Sequence, residues 1–168
     1  NPQGAYTIRY PRGNGVLIDW KTPMEEIKVG TGRRLVNGSD IAFLTLGPIG
    51  NYTTKAVQLL SEQGVDAAHY DMRFAKPLDE VMLHEVFGKF KYVITVEDGC
   101  IQGGMGSAVL EFMADHGYQC KVKRLGIPDA YIEHGTQDEL YKECGFDTAA
   151  MVNEALEMLG QAVQTQTA

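Results

Sequence analysis

Two arginines near the start of the chain have a spacing suited to binding an anion. Arg9 and Arg12 lie in the segment IRYPRGNG (residues 8–15), where Pro11 stiffens the backbone between them and two glycines allow it to turn. The guanidinium group suits planar, bidentate recognition of phosphate or carboxylate. The segment therefore predicts a site for an anionic substrate group, and a surface loop with two solvated arginines is the open alternative.

A glycine-rich segment further along the chain could bind an anion through its backbone. VEDGCIQGGMGSAV (residues 96–109) places glycines between a β-branched strand pattern and an amphipathic helix pattern. Backbone N–H groups at such a helix N-terminus favour phosphate. The spacing matches neither GxGxxG nor a GK[ST] ending. The turn from Gly99 to Gly106 is therefore either an anion- or nucleotide-binding turn, or a packing turn between strand and helix.

Mixed charges follow another predicted strand. Asp71, Arg73 and Lys76 lie in DMRFAKPLDE (residues 71–80), at the carboxyl end of that strand. In an open α/β sheet, ligands tend to bind at this edge. The same side chains could instead form ion pairs that lock a loop or a subunit interface, and that structural role is the one we expect.

The remaining titratable residues show no metal-binding pattern. His69, His84 and His134 have no partner nearby in sequence, which is more typical of structural histidines than of catalytic ones. Glu97 and Asp98 are adjacent carboxylates, but the spacing of metal ligands is missing around them. The sequence therefore predicts no metal site.

From residue 40 onward, patterns typical of strands alternate with patterns typical of helices. These elements must position the glycine-rich segment and the charged segment described above. Runs typical of strands begin at Ile41, Val65, Tyr92 and Cys120, and helical patterns follow them. This alternation predicts a three-layer α/β/α fold around a mostly parallel sheet of about five strands. We expect Asp79, Thr136 and Asp147 to be helix N-caps. The helix that begins after Asp79 is expected to end at Gly88.

The first 39 residues do not follow this alternation. EEIKVGTGRRLVNGSD (residues 25–40) is typical of a β-hairpin that turns at Asn37 and Gly38 into the strand beginning at Ile41. The pattern predicts one antiparallel edge strand in the sheet, paired with that strand.

Composition excludes several classes of protein. The chain of 168 residues has 15 Lys and Arg against 22 Asp and Glu, a net charge of −7 that argues against nucleic acid or an anionic membrane as partner. No apolar run approaches the ~20 residues of a membrane span. Three cysteines, without a CxxC pair, predict a reducing, cytoplasmic compartment. The chain begins with Asn1, and its first methionine is Met24, so we expect a piece of a longer polypeptide.

Four motifs, taken in order, resemble one enzyme family. RYPRG, DMRFAKPLD, TVEDGCIQGGMGSAVLE and LGIPDAYIEHGTQDEL are similar to the C-terminal part of the 1-deoxy-D-xylulose-5-phosphate synthases. These enzymes form part of the transketolase-like, thiamine diphosphate-dependent group. The resemblance extends from about Tyr6 to Leu159.

The resemblance implies a reaction and a place for this chain within a larger enzyme. Family members are homodimers that use thiamine diphosphate and Mg²⁺ to condense pyruvate with glyceraldehyde 3-phosphate, releasing CO₂. We expect this chain to come from a bacterial, cytoplasmic enzyme of this family. The product supplies isoprenoid precursors and, in bacteria, thiamine. By this resemblance Arg12, with Arg9 close by, contacts the phosphate of the aldehyde substrate. Asp71, Arg73, Lys76 and Glu97 are expected to have structural or interface roles.

The chain lacks parts that the family's chemistry requires. It has no GDG…N segment to hold Mg²⁺ and the diphosphate, and no pyrimidine-binding domain with its glutamate. By the resemblance, residues 1–27 are the end of the pyrimidine-binding domain and a linker, and residues 28–168 are the C-terminal domain. We therefore expect no catalytic residue, no bound cofactor and no activity in this chain alone. Its expected partner is the rest of the same polypeptide.

Overall fold

The computed structural model describes residue 23 and residues 25–161. These residues form one five-stranded sheet and five helices. The strands are β1 (Arg33–Val36), β2 (Ile41–Leu46), β3 (Ala67–Asp71), β4 (Tyr92–Cys100) and β5 (Lys121–Ile127). The helices are α1 (Gly50–Glu62), α2 (Glu80–Lys89), α3 (Met105–Asp115), α4 (Gln137–Glu143) and α5 (Thr148–Met158). Within the described ranges, none of the helices has the length and apolar character needed to cross a membrane.

The sheet has the strand order β1-β3-β2-β4-β5. Strands β2 to β5 pair in parallel, whereas β1 pairs antiparallel with β3 at the edge. From β2 the chain moves outward to β3 and then returns past β2 to β4, so the direction of winding reverses between β2 and β4. The predicted fold class, a mostly parallel sheet with one antiparallel edge strand, is confirmed.

Strand β2 is buried on both faces, which explains its continuous apolar sequence. Because successive side chains of a strand point to opposite faces, Ile41 and Phe43 join one core cluster, whereas Ala42 and Leu44 join the other. The first cluster includes buried residues of α1 and α5, and the second includes those of α2 and α3. Helices thus cover both faces of the sheet, and the carboxyl ends of its strands are held in place by two cores.

Polar caps begin three helices where the sequence predicted them. The side chains of Asp79, Thr136 and Asp147 each accept a hydrogen bond from the backbone N–H three residues later, at the starts of α2, α4 and α5. The predicted end of α2 at Gly88 is wrong. That helix continues to Lys89, and it stops there because the next residue takes an extended conformation and packs into the core.

The edge strand β1 has a different partner from the one predicted. The hairpin prediction paired it with β2, but Arg33 lies opposite Asp71 of β3. The physical reason is that both edges of β2 are already occupied by the parallel strands β3 and β4. A sheet-interior strand has no free edge to offer a hairpin partner.

The segment between β1 and β2 crosses the start of β3 instead of forming a tight hairpin. The backbone N–H groups of Ser39 and Asp40 both donate to the carbonyl oxygen of Asp66, each at 2.9 Å. A Cβ on Gly38 would overlap the backbone of Ala67. Gly38 is therefore required for a close approach of two backbones, which the Asn-Gly pattern does not distinguish from a hairpin turn.

Candidate functional site

A cavity of about 700 Å³ opens at the carboxyl ends of β2, β4 and β5. It lies beside the point where the winding of the sheet reverses, between Leu46 at the end of β2 and Asp98 in the last part of β4. The segment from Ile127 to Phe146, which includes α4, contributes much of its opposite wall. Open α/β sheets bind ligands at such reversals, and the volume is within the range of small-molecule sites.

The N-terminus of α3 beside this cavity is capped by the chain's own carboxylate. The Glu97 side chain is buried, and its two oxygens accept hydrogen bonds from the backbone N–H groups of Met105 and Gly106 at 2.8 and 2.9 Å. A carboxylate is favoured at a helix N-terminus, where the macrodipole is positive. Gly104 leaves the room for this contact, since a Cβ there would overlap the carboxylate.

The glycine-rich turn that precedes α3 is braced by a side chain of β5. Arg124 donates from Nη1 to the carbonyl oxygen of Ile101 and to Ser107 Oγ, both at 2.7 Å. Ser107 Oγ also accepts from the backbone N–H of Gly103 at 3.0 Å. These contacts fix the turn as a packed connection between β4 and α3.

A hydrogen-bonded chain of side chains lies in the cavity wall. The Tyr141 hydroxyl donates to Asp98 Oδ2 at 2.9 Å and accepts from Gln137 Nε2 at 2.7 Å. Burial, together with the hydrogen bond to the Asp98 carboxylate, raises the pKa of Tyr141 above its ordinary value of 10. The ring of Tyr52 meets that of Tyr141 edge-on, with centroids 5.1 Å apart, and holds it in place.

The loop that follows β3 is tied to the edge strand. Asp71 accepts from Arg33 Nε at 3.0 Å and from the backbone N–H of Arg73 at 3.1 Å. Arg73 has φ +56°, a left-handed conformation that disfavours side chains other than glycine. In the part of the chain that the structure describes, Arg73 and Lys76 form no ion pair.

His69, His84 and His134 lie in three different surroundings. His69 is fully buried on β3, and its Nε2 lies 2.9 Å from Thr45 Oγ1. Burial lowers its pKa to about 4. His84 is exposed on α2 and bonds through Nδ1 to the Tyr118 hydroxyl at 2.8 Å. His134 is exposed in the loop before α4.

Within residues 25–161, no group of three or more His, Cys, Asp or Glu side chains could hold a metal ion. Cys100, Cys120 and Cys144 are free thiols. Burial raises the pKa of the Cys120 and Cys144 thiols, which disfavours the reactive thiolate form.

The predicted site residues fall into three places. Arg9 and Arg12 lie outside the described residues. Asp71, Arg73 and Lys76 lie at or after the end of β3, on the side of β2 away from β4 and β5. Glu97 lies at the cavity. Sequence analysis missed Gln137 and Tyr141, because a capping box followed by an apolar residue indicates a helix start but not the side chains that face a cavity.

Comparison with known proteins identifies relatives over nearly the whole chain. A family model for the transketolase C-terminal domain matches residues 30–151. Two proteins named 1-deoxy-D-xylulose-5-phosphate synthase, from Cytophaga hutchinsonii and Bacteroides thetaiotaomicron, are each 57% identical to this chain, over 158 and 155 residues. One from Geobacillus thermodenitrificans is 41% identical over 157 residues. These matches cover 92–94% of this chain but only 24–25% of each relative. The chain therefore spans about a quarter of the length of these relatives.

Solved structures of similar fold come from transketolases. A split-gene transketolase, in the form of an inactive β4 tetramer, superposes with a TM-score of 0.74 and 27% identity, covering 83% of this chain and 44% of that one. Transketolase from Campylobacter jejuni superposes with a TM-score of 0.54 and 18% identity, covering 76% of this chain and 18% of that one. The second likeness is one of fold alone.

Proposed function

The chain belongs to the family of transketolase C-terminal domains, and on that basis we propose that it is the C-terminal domain of a 1-deoxy-D-xylulose-5-phosphate synthase. The whole enzyme would use thiamine diphosphate to decarboxylate pyruvate and join the remaining carbons to glyceraldehyde 3-phosphate. Its product would enter isoprenoid precursor and thiamine synthesis. The observation that carries the proposal is the 57% identity over 158 residues to a synthase of which this chain covers 25%.

The proposal assigns different roles to the two ends of the chain. Residues 1–27 would be the end of the pyrimidine-binding domain and a linker, and residues 28–168 would be the C-terminal domain. Arg12, assisted by Arg9, would bind the phosphate of glyceraldehyde 3-phosphate. A guanidinium group can meet two phosphate oxygens at once, which fixes the position of the substrate as well as binding it.

The described residues do not fit the diphosphate of the cofactor or its Mg²⁺. The carboxylate of Glu97 already accepts from the two N–H groups at the start of α3, and its negative charge opposes a diphosphate there. No cluster in residues 25–161 has the carboxylate ligands that Mg²⁺ prefers. We therefore assign the cofactor to the remainder of a longer polypeptide, and we expect this chain alone to be inactive.

The occupied N-terminus of α3 also weakens the alternative of a free-standing anion- or nucleotide-binding module. That module needs unpaired backbone N–H groups and a glycine-rich turn that can close on a phosphate. Glu97 bonds two such groups, and Arg124 bonds to the turn itself. These contacts support a packing role for the turn.

The proposed structural role concerns the loop between β3 and α2. The Asp79 carboxylate accepts from the backbone N–H of Gly32 at 2.8 Å, and Asp71 pairs with Arg33, so β1 and this loop support each other. The cationic side chains of Arg73 and Lys76 are then available to the preceding domains or to a second subunit. We propose that they contribute to those interfaces in a homodimeric, cytoplasmic enzyme.

A domain exchange tests the proposal directly. We expect residues 1–168 to replace the matching C-terminal quarter of the Cytophaga hutchinsonii synthase with 1-deoxy-D-xylulose 5-phosphate formation within about tenfold of the parent, a change of about 1.4 kcal/mol in the barrier. The matched control carries the C-terminal domain of Campylobacter jejuni transketolase at the same junction, and it should be inactive. A chimera with residues 1–168 that folds and binds thiamine diphosphate but forms no product would contradict the proposal.

A further inference from the structure

The cavity at the carboxyl ends of β2, β4 and β5 has carboxylate side chains in its wall, but its described lining has no cationic side chain. Glu97, Asp98 and Glu133 line it, and no Lys, Arg or His occurs among the described residues of its lining. A phosphate or carboxylate ligand would meet like charge there, whereas a cation would meet opposite charge. The charge of the cavity wall is therefore negative, like that of the anionic substrates proposed for the enzyme, so the wall does not suit those substrates.

The carboxylates differ in how far their hydrogen-bonding capacity is already used. Both oxygens of Glu97 accept from backbone N–H groups of α3, so this side chain has a structural partner. Asp98 accepts from the Tyr141 hydroxyl through Oδ2. Its Oδ1 accepts no hydrogen bond in the part of the chain that the structure describes. Asp98 is thus the carboxylate with capacity for a ligand.

The neighbouring hydrogen bonds determine which oxygens of the lining residues Asp98 and Gln137 remain as acceptors. Because Asp98 can only accept, the Tyr141 hydroxyl must donate to it and must accept from the Gln137 amide nitrogen. The amide group of Gln137 is thereby oriented, with its oxygen left as an acceptor. A ligand that donates hydrogen bonds would find the Asp98 and Gln137 oxygens prepared for it.

The rest of the wall is apolar and aromatic. Ile127 and Leu140 line it and are partly exposed, whereas the rings of Tyr141 and Phe146 in the same wall are buried. Apolar walls with a few convergent polar groups are the usual form of small-molecule sites.

We propose that this cavity binds a small organic cation, an ammonium or amidinium group carried on an apolar body, with its N–H groups on Asp98 and Gln137. The apolar body packs against Ile127 and Leu140, which line the cavity and are partly exposed. This inference does not depend on the proposed synthase function, since it rests on the cavity alone.

Three planar probes of nearly equal shape test the charge preference: benzamidine is cationic, benzamide neutral and benzoate anionic. Titrations of the 168-residue chain, followed by ¹H–¹⁵N correlation spectra, should show benzamidine shifting the amide signals of Gly99, Gln137 and Tyr141. Benzamide should bind at least about tenfold more weakly and benzoate more weakly still, because one charge-assisted hydrogen bond is worth about that factor. Equal shifts with benzoate, or no cavity shifts with benzamidine at millimolar concentration, would overturn the proposal.

Two matched variants test whether Asp98 is the residue that binds the cationic group of benzamidine. Asp98→Asn keeps the size of the side chain and an acceptor for Tyr141, and it should weaken benzamidine binding about tenfold. Asp129→Asn removes the same charge from an exposed position outside the cavity lining, and it should leave the affinity unchanged. If both variants weaken binding equally, the effect is one of net charge and the assignment to Asp98 is wrong. The probe series on the unmodified chain remains decisive even if Asp98→Asn fails to fold.

Discussion

We propose that the guanidinium group of Arg12 binds the dianionic phosphate of glyceraldehyde 3-phosphate in the whole enzyme. Hydrogen bonds to charged groups contribute about 1.5–3 kcal/mol, so Arg12→Ala in the chimeric synthase should lower kcat/KM for this substrate by roughly 10- to 150-fold. The KM for pyruvate should change little, since pyruvate carries no phosphate. Arg12→Lys should recover part of the loss, because an ammonium group lacks the planar fork. Steady-state kinetics with each substrate varied separately distinguishes this role from a loss of stability, which would affect both substrates alike.

Burial of a neutral histidine on β3 should make folding sensitive to acid. The pKa of His69 falls from 6.5 to about 4, chiefly through burial, with Asp71 raising it and Arg33 lowering it further. Between these values the unfolded chain binds the proton and the folded chain does not, so the free energy of unfolding decreases as pH falls from 6.5 towards 4. The whole interval corresponds to about 3 kcal/mol.

A variant isolates this contribution of His69 from the titration of carboxylates. His69→Gln cannot bind the proton, so its deficit in unfolding free energy relative to the unmodified chain should shrink by about 2 kcal/mol between pH 7 and pH 5. Urea unfolding at the two pH values measures it. The exposed His134→Gln serves as control and should show no such change. A deficit of the same size at both pH values would mean that the pKa of His69 is the same in the folded and the unfolded chain.

At the scale of elements, two glycines, one immediately before α3 and one within α2, should respond in opposite ways to alanine. A Cβ on Gly104 would overlap the Glu97 carboxylate and the carbonyl oxygen of Cys100, which disrupts the cap of α3. Gly104→Ala should therefore lower the unfolding free energy by about 2–4 kcal/mol, the loss of one or two charge-assisted bonds. Gly88 lies in α2 with open space around its Cβ position, so Gly88→Ala should raise the unfolding free energy by about 0.5–1 kcal/mol. A urea midpoint that does not fall for Gly104→Ala, while Gly88→Ala raises it as expected, would contradict the assignment of Glu97 as the cap.

The same elements show which local patterns predict structure and which do not. Caps such as Asp79 and Thr136 were predictable because a cap is a contact between residues three apart. The partner of β1 was not predictable, because pairing depends on which strand edges remain free once the parallel sheet has formed. Gly38 supports both a hairpin turn and a close backbone approach, and only the position of Ala67 decides between them.

At the scale of the whole molecule, the fold was predictable, but the cavity was not. Alternating strand and helix patterns suffice to predict three layers and a mostly parallel sheet. The cavity wall combines Leu46, Asp98 and Tyr141, which come from three separate parts of the chain and meet only through the strand order. Asp98 was visible in sequence merely as the neighbour of Glu97, and the division of roles between the two carboxylates follows from the position of α3.

In the proposed enzyme the cofactor binds to the remainder of the polypeptide, and this predicts how the isolated chain behaves towards the cofactor. Calorimetric titration of the 168-residue chain with thiamine diphosphate and Mg²⁺ should give no binding, because Glu97 occupies the start of α3 and the described residues hold no set of Mg²⁺ ligands. The complete Cytophaga hutchinsonii synthase, titrated under the same conditions, is the control and should bind. The unfolding temperature of the isolated chain should also be unchanged by the cofactor, since a ligand stabilises a fold only when it binds it. Micromolar binding to the isolated chain would mean that this domain carries a cofactor site of its own.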